Sequence, residues 1–164
     1  MPPFDQISIH PADPDTTDWA SVLALVLKAF AYMEGRIDPP SSANRLTQED
    51  MAAQAASGVL LLAEDDSGLV GGVFLNQRID AMHLGKLALD PSRQGEGIEG
   101  IGRRLFKASI AAAKAQNFAE IELQARIELT EIQTAVAALG FRETGRTVRD
   151  GYDRPTSVTM RCRL

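Results

Sequence analysis

The chain has 164 residues, enough for one domain with a sizeable core but too few for two ordinary domains. With 45% hydrophobic and 24% charged residues it has the composition of a globular protein, and no segment approaches the ~20 consecutive apolar residues that span a membrane. The formal net charge of -5 argues against broad non-specific binding to nucleic acid or anionic lipid. We therefore expect a single domain, 1–164, with neither a nucleic-acid nor a membrane partner.

The cellular setting is predicted from the first residues and from the cysteine content. Residues 1–5, Met-Pro-Pro-Phe-Asp, have neither the basic nor the apolar region of a secretory signal. Cys162 is the single cysteine, which excludes an intramolecular disulfide framework. Both observations favour a reducing, cytoplasmic location.

The first part of the chain predicts one strand and two helices. Residues 6–10 alternate between apolar and polar types, as in a short half-buried strand. Apolar residues recur at helical spacing over 19–35, and two prolines then make 36–44 an ordered loop. A cap-like start and a Ser-Gly end predict a second, alanine-rich helix within 47–58.

The middle of the chain predicts a three-strand meander. Its strands are expected over 59–64, 69–77 and 82–89. The Asp-Asp-Ser-Gly turn at 65–68 favours an antiparallel hairpin between the first two. Gly85 interrupts the third strand, which indicates a bulge or the close approach of a ligand.

The last part of the chain alternates helix and strand. A helix from 101 to about 116 is followed by a strand over 120–126, which makes a strand-helix-strand unit with the third strand of the meander. A last helix over 130–139 precedes two strands, within 141–154 and 157–164. The predicted order is therefore β, two helices, a three-strand meander, then αβαββ.

A glycine-rich turn lies between the meander and the following helix. Its glycines let backbone N–H groups converge, and the helix N-terminus adds partial positive charge, so the turn predicts a phosphate cradle, with a flexible surface turn as the alternative. Gly95-x-Gly97-x-x-Gly100 also matches the dinucleotide-binding fingerprint. We reject that interpretation, because the fingerprint directly follows a strand in a first βαβ unit, whereas here a loop intervenes after an antiparallel meander.

Three segments resemble the GNAT superfamily of acyl-CoA-dependent N-acetyltransferases: Leu-Ala-Leu-Asp-Pro-Ser-Arg-Gln-Gly-Glu-Gly-Ile at 87–98, Gly-Arg-Arg-Leu-Phe-Lys at 102–107 and Ala-Leu-Gly-Phe-Arg-Glu-Thr-Gly at 138–145. The family's element order matches the chain over almost its whole length. The resemblance implies an α/β (α+β) fold with a mixed, mainly antiparallel sheet of about 6–7 strands flanked by about four helices. It also implies a splayed central strand pair that admits the pantetheine arm between 82–89 and 120–126.

The resemblance implies acetyl-CoA as co-substrate, with no metal. In this family a Q/R-x-x-G-x-G/A turn binds the CoA pyrophosphate through backbone amides, and a backbone N–H within 87–89 polarises the thioester carbonyl. The cofactor-binding residues implied here are Leu87, Ala88, Leu89, Gln94, Gly95, Glu96, Gly97, Ile98, Gly100, Gly102 and Arg103.

The motif carries an apparent insertion. Glu99 occupies its sixth position, where glycine or alanine is expected, and deleting one copy of Glu-Gly-Ile restores the pattern. Residues 96–98 and 99–101 thus read as a tandem duplication. Which copy faces the phosphates is left open.

Acetyl transfer to an amine needs a base for the amine and a proton for the departing thiolate. His83 and Glu122 are the candidate bases, each with a purely structural role as the alternative, and Tyr152 is a third catalytic candidate. The family often places a tyrosine four residues before its Gly-Phe pair, but this chain has Val136 there. Direct transfer with water protonating the thiolate is then the route left open. Cys162 lies in phase with apolar residues, which favours packing over nucleophilic chemistry.

Two polar loops stiffened by proline, 32–42 and 150–155, are expected to bind the acceptor near the end of the pantetheine arm. The alternative is a helix end and a hairpin turn with no binding role. The candidate acceptor-binding residues are Tyr32, Arg36, Asp38, Ser41 and Arg154. Asp38 and Asp153 would suit a cationic amine, whereas Arg36 and Arg154 would suit a carboxylate, and the sequence does not choose.

The resemblance therefore implies an N-acetyltransferase that transfers an acetyl group from acetyl-CoA to a primary amine, directly, in a ternary complex. A catalytically silent acyl-CoA-binding or regulatory module on the same fold is the alternative. A small-molecule or peptide amine is the expected partner, and a homodimer is left open.

Overall fold

The computed structural model describes residues 7–93 and 100–164. Within these ranges the chain forms seven strands and four α-helices. The strands are β1 (Ser8–Pro11), β2 (Val59–Asp65), β3 (Gly68–Gln77), β4 (Met82–Leu89), β5 (Glu120–Arg126), β6 (Arg142–Thr147) and β7 (Ser157–Arg163). The helices are α1 (Trp19–Phe30), α2 (Gln48–Ser57), α3 (Ile101–Ala115) and α4 (Thr130–Ala138).

The strands form a single sheet in the order β1-β2-β3-β4-β5-β7-β6. Adjacent strands are antiparallel except β4 and β5, which are parallel because α3 connects them across one face of the sheet. The predicted mixed, mainly antiparallel sheet with four helices is confirmed.

The helices divide between the two faces of the sheet. Helices α1 and α2 pack against β2, β3 and β4 around a core that includes Val26, Met51 and Phe74. Helices α3 and α4 cover the opposite face, where Leu105 and Ile121 are fully buried. No helix in the described parts of the chain is long and apolar enough to cross a bilayer.

The helix starts follow the predicted capping chemistry. Thr47 and Asp50 form a reciprocal capping box at α2, since each side chain accepts the other's backbone N–H, at 3.1 and 3.0 Å. The end of the first helix differs from the prediction. Helix α1 ends at Phe30 rather than at Gly35, because the backbone tightens into a 3₁₀ turn at Ala31–Met33.

The β3–β4 ladder contains the irregularity predicted at Gly85. Leu75 pairs with Leu84 and Val73 pairs with Leu87, so Phe74 of β3 faces two residues of β4, Gly85 and Lys86. This bulge changes the direction of β4 halfway along the strand. It lies where β4 borders β5.

Candidate active site

A gap between β4 and β5 forms the centre of the candidate site. The two strands share three residue pairs, Met82–Ile121, His83–Glu122 and Leu84–Leu123. Beyond these pairs β4 continues to Leu89, paired only with β3, and β5 continues to Arg126, paired only with β7. The strands therefore separate as predicted, and a cleft of about 980 Å³ opens between them.

The cleft is open to both faces of the sheet, because its walls include residues from both helical layers. From the α3–α4 face these are Phe106, Val136 and Leu139, and from the opposite face Phe30, Tyr32 and Pro39. Two molecules that enter from opposite faces can therefore meet in the gap. Such a geometry suits a two-substrate transfer reaction, in which both reactants must be held close together.

One end of the cleft is suited to bind an anion. Helix α3 begins after Gly100, which makes no side-chain cap hydrogen bond, and its first turn contains no acidic residue. Gly102 and Arg103 of that turn line the cleft. The partial positive charge of the helix N-terminus and the Arg103 guanidinium favour phosphate at this position.

The predicted cofactor residues on β4 divide between the two faces of the sheet. Leu87 lines the cleft, whereas the Ala88 side chain is buried in the core beneath α1 and α2. Leu89 packs against the start of α3, since a Cβ at Gly102 would lie 3.1 Å from Leu89 Cδ1. The remaining predicted positions, Gln94, Gly95, Glu96, Gly97 and Ile98, lie outside the described residues.

The residue before the glycine-rich turn is fixed by an ion pair that the sequence did not indicate. Arg93 Nη1 lies 2.6 Å from Asp65 Oδ2, and these side chains are only 9% and 1% exposed. Hydrogen bonds from Ser67 and Arg93 lower the pKa of Asp65 below its ordinary value. The pair joins the beginning of the turn to the β2–β3 hairpin. From the sequence, Asp65 is expected only to belong to the turn at 65–68.

The two candidate bases are neighbours on β4 and β5. The parallel register places His83 beside Glu122, with His83 Nδ1 3.1 Å from Glu122 Oε1. Their side chains are 12% and 13% exposed. His83 lines the cleft, and Glu122 lies behind it. With Nδ1 donating to the carboxylate, His83 Nε2 is the nitrogen that can accept a proton.

Arg161 of β7 fixes Glu122 from its other side. Its Nη2 and Nε donate to Glu122 Oε2 at 2.8 and 3.1 Å. Arg161 also contacts Asp80 at 3.0 Å and Glu120 at 3.3 Å. The carboxylate of Glu122 is thus held between a cation and the imidazole, which suits a group that orients a base.

The surroundings of His83 favour its neutral form. Burial lowers the pKa of the imidazole below its ordinary value of 6.5, and the hydrogen bond to Glu122 opposes that effect. The charges of Arg78 and Lys86 lower the pKa further. At neutral pH His83 is therefore mainly uncharged and able to accept a proton.

The two loops predicted to bind the acceptor meet, although they are far apart in sequence. Tyr152 donates its hydroxyl to Asp38 Oδ1 at 2.6 Å, and Arg154 Nη2 donates to the backbone oxygen and Oδ2 of Asp38 at 3.0 and 3.3 Å. The hydrogen bond to Asp38 raises the pKa of Tyr152. These three residues form a rim contact and do not line the cleft.

The other acceptor candidates also divide between the wall and the rim. Tyr32 and Ser41 line the cleft, and Ser41 Oγ accepts the backbone N–H of Ala43. Arg36 does not line it, because its guanidinium pairs with Glu131 at 2.5 Å. The cleft wall instead contains Arg126 and Arg149, which the sequence analysis did not single out.

Position 136, where the family often has tyrosine, faces the cleft. Val136 of α4 lines it together with Ile132 and Leu139. This part of the wall is apolar and offers no proton donor.

Comparisons with known proteins agree with this geometry. A family described as "Acetyltransferase (GNAT) domain" matches residues 38–164. A search of curated proteins gives no match. Among solved structures, the chain is similar to the PaiA N-acetyltransferase of Thermoplasma acidophilum in complex with coenzyme A, with a TM-score of 0.79, 16% identity, and 96% of this chain and 99% of that chain covered.

Two further solved structures share the fold. A GNAT family acetyltransferase of Elizabethkingia anophelis with acetyl-CoA bound has a TM-score of 0.68, 21% identity, and coverage of 98% of this chain and 99% of that chain. The ribosomal-protein-S18-alanine N-acetyltransferase of Escherichia coli has a TM-score of 0.71, 18% identity, and coverage of 96% and 93%. The family match extends over most of the sheet and the whole of the β4–α3–β5 unit, and the chain belongs to the GNAT acetyltransferase family.

Proposed function

We propose that the protein transfers the acetyl group of acetyl-CoA to a primary amine, directly, within a ternary complex. The observation that carries the proposal is the separation of β4 from β5 beyond the Leu84–Leu123 pair, one residue after His83 and Glu122. It opens a cleft from both faces of the sheet next to a neutral histidine. Two of the similar structures are complexes with coenzyme A and acetyl-CoA, which supports the choice of donor.

The residues present fit such a donor. The N-terminus of α3 and Arg103 offer positive charge for the phosphates. The gap between the strands admits a narrow arm, and Gly85 leaves part of its wall as bare backbone. Acetyl-CoA supplies the acetyl group as an activated thioester.

His83 is the proposed base. Its Nε2 accepts the proton of the amine nitrogen as the nitrogen–carbon bond forms and the carbon–sulfur bond breaks. Glu122 stabilises the resulting imidazolium, and Arg161 keeps Glu122 in place. Val136 offers no proton to the departing thiolate, so that proton comes from water.

The charge of the cleft assists the same step. Lys86, whose charge also lowers the pKa of His83, lines it. Nearby positive charge disfavours the ammonium form of a bound amine and lowers its pKa. The nucleophile is thereby kept in its reactive, uncharged form.

Two measurements test the proposal: acetyl-CoA binding by calorimetry, and CoA thiol release with a panel of primary amines. We expect His83→Gln to bind acetyl-CoA like the wild type while kcat/KM falls about 10²-fold or more, the usual contribution of a general base. His10→Gln, on β1, is the matched control and should retain both properties. Wild-type turnover in His83→Gln would contradict the assignment.

A catalytically silent acyl-CoA-binding module is the second candidate, favoured by the apolar wall at Val136. The same two measurements separate the candidates. Acetyl-CoA binding without turnover on a broad amine panel would favour the module. Absence of binding would contradict both.

A further inference from the structure

The charged side chains of the cleft have one sign. Apart from His83, those from the described residues are Lys86, Arg103, Arg126 and Arg149, and no aspartate or glutamate from the described residues lines the cleft. The whole chain has a formal net charge of -5. Positive charge is thus concentrated in the cleft against the overall balance, which favours anionic ligands there.

The four cations lie in different parts of the cleft. Arg103 belongs to the first turn of α3, where the phosphates of the donor are proposed to bind. Arg126 and Arg149 lie by the acceptor loops instead. Arg126 Nη2 donates to the carbonyl of Pro39, and Arg149 follows β6, where its backbone N–H donates to Thr156 Oγ1 at 3.2 Å. These two guanidinium groups are therefore not needed for the donor phosphates.

The neighbouring carboxylates do not neutralise this end of the cleft. Asp38 is bound by Arg154, and Glu128 Oε2 accepts the backbone N–H of Asp38 at 2.8 Å and lies 4.0 Å from Arg154. Among the described residues, Arg154 is the arginine that pairs with these carboxylates, whereas Arg126 and Arg149 line the cleft and take part in no ion pair.

Arg126 has one donor that is not satisfied within the described residues. Its Nε is buried and has no hydrogen-bond partner among the described residues. Glu128 Oε1 is likewise buried and unpartnered, but Glu128 does not line the cleft. Because Nε is enclosed by protein, an anionic oxygen from a ligand in the cleft would interact with the charge of the Arg126 guanidinium and not with this donor.

The spacing of residues along β5 gives the distance between Arg126 and the reacting end of the cleft. Glu122, Gln124 and Arg126 alternate with the buried residues of β5 and so share one face. Successive strand residues rise ~3.3 Å, so the backbone positions of Glu122 and Arg126 are ~13 Å apart. The side chains of His83 and Arg126 shorten that separation. An acceptor whose anionic group binds Arg126 while its amine reaches His83 must still have several bonds between the two groups.

We propose that the acceptor is an amine that carries a carboxylate, separated from the reacting nitrogen by an alkyl or peptide spacer, and that Arg126 and Arg149 bind the carboxylate. The inference rests on the proposed acetyl transfer and names the substrate class of that site. A carboxylate carries a single negative charge, whereas a phosphate monoester carries about -1.5 to -2 at neutral pH, so a phosphonate analogue tests the choice between them.

The turnover test uses glycine, γ-aminobutyrate and ε-aminocaproate, each beside its carboxamide. We expect kcat/KM to favour the longer carboxylates over their amides at least about tenfold, which corresponds to ~1.4 kcal/mol. The preference should disappear in Arg149→Gln and Arg126→Gln, chiefly through KM, with acetyl-CoA affinity unchanged. Arg146→Gln is the matched control, because Arg146 pairs with Glu143 at 3.3 Å and does not line the cleft. Equal use of amides and carboxylates, or a preference that survives both variants, would overturn the inference.

A binding test decides the inference even when no amine is acetylated. N-acetyl-ε-aminocaproate is titrated calorimetrically into the CoA-loaded protein. We expect binding that weakens about tenfold or more in Arg149→Gln, whose exposed position keeps the fold intact if Arg126→Gln does not fold. Arginine-dependent binding without turnover would support the carboxylate site and contradict the proposed transferase activity. No binding, or tighter binding of the phosphonate analogue, would overturn the inference.

Discussion

Replacing Glu122 with glutamine tests whether this carboxylate sets the basicity of His83. The substitution keeps the size of the side chain and removes its charge, and it replaces one of the two carboxylate oxygens, of which Oε1 lies 3.1 Å from His83 Nδ1, with an amide NH2. Because both side chains are largely buried, bulk water screens their interaction weakly.

The size of the effect follows from the contact distances. Two unit charges 4 Å apart interact by about 4 kcal/mol at an effective dielectric constant of 20. Arg161 donates to the same carboxylate at 2.8 Å and cancels part of that attraction. We therefore expect the imidazolium of His83 to lose about 1–2 kcal/mol, roughly a tenfold change in its protonation equilibrium.

The sign of the change follows from the charges. Glu122 raises the pKa of His83, so Glu122→Gln lowers that pKa further, in the same direction as burial. The acid limb of kcat/KM should move to lower pH, because His83 must be neutral to accept a proton. The plateau should fall, because the neutral imidazole becomes a weaker base.

Histidine-selective NMR titration measures the pKa directly. The chain has two histidines, and His10 on β1 supplies an internal reference. Glu120→Gln is a matched control, since Glu120 contacts Arg161 at 3.3 Å and not His83. An unchanged or raised pKa of His83 in Glu122→Gln would refute the reasoning.

Three further predictions concern the donor end of the site. Asp65→Asn breaks the buried pair with Arg93 and should lower the free energy of unfolding, measured by chemical denaturation, by about 3 kcal/mol. It should also raise the acetyl-CoA Kd, and an unchanged Kd would exclude a positioning role for the pair. Gly71→Ala places a Cβ 3.0 Å from two α3 side chains and should cost about 1–3 kcal/mol, whereas Gly145→Ala, with no atom within 4 Å, should not. Deleting 99–101 should preserve the fold, because the preceding Glu-Gly-Ile supplies the same residues. Removing one carboxylate should also tighten acetyl-CoA binding several-fold, by about 1 kcal/mol. A collapse in calorimetric affinity would mean that the deleted copy itself binds the phosphates.

The elements that the sequence predicted well are those determined by neighbouring residues. Thr47 and Asp50 satisfy each other's backbone groups within one helical turn, so their spacing alone indicates the start of α2. The bulge at Gly85 follows in the same way from a glycine inside an apolar strand. The end of α1 was less predictable, because the apolar spacing continues past Phe30 while the backbone already forms a 3₁₀ turn.

The partnership of His83 with Glu122 depends on a register that the sequence does not specify. Each residue was a separate candidate base, since each alternates with apolar neighbours on its own strand. A shift of β5 by one residue would turn Glu122 to the opposite face and separate the pair. The observed register places the two candidates side by side, so His83 can act as the base and Glu122 as the carboxylate that orients it.

The acceptor end shows why residue type alone is a weak guide to a charged site. Asp38 and Arg154 lie on the loops that the sequence singled out, but charged groups on adjacent loops readily neutralise each other, and these two form an ion pair at the rim. Arg126 is held at the end of β5 by the Pro39 carbonyl, where its guanidinium faces the cleft. What distinguishes Arg126 is that it lines the cleft and takes part in no ion pair among the described residues, and both properties depend on contacts between segments distant in sequence. A cation that can bind a ligand is therefore identified by which charged groups remain free of ion pairs after the chain has folded.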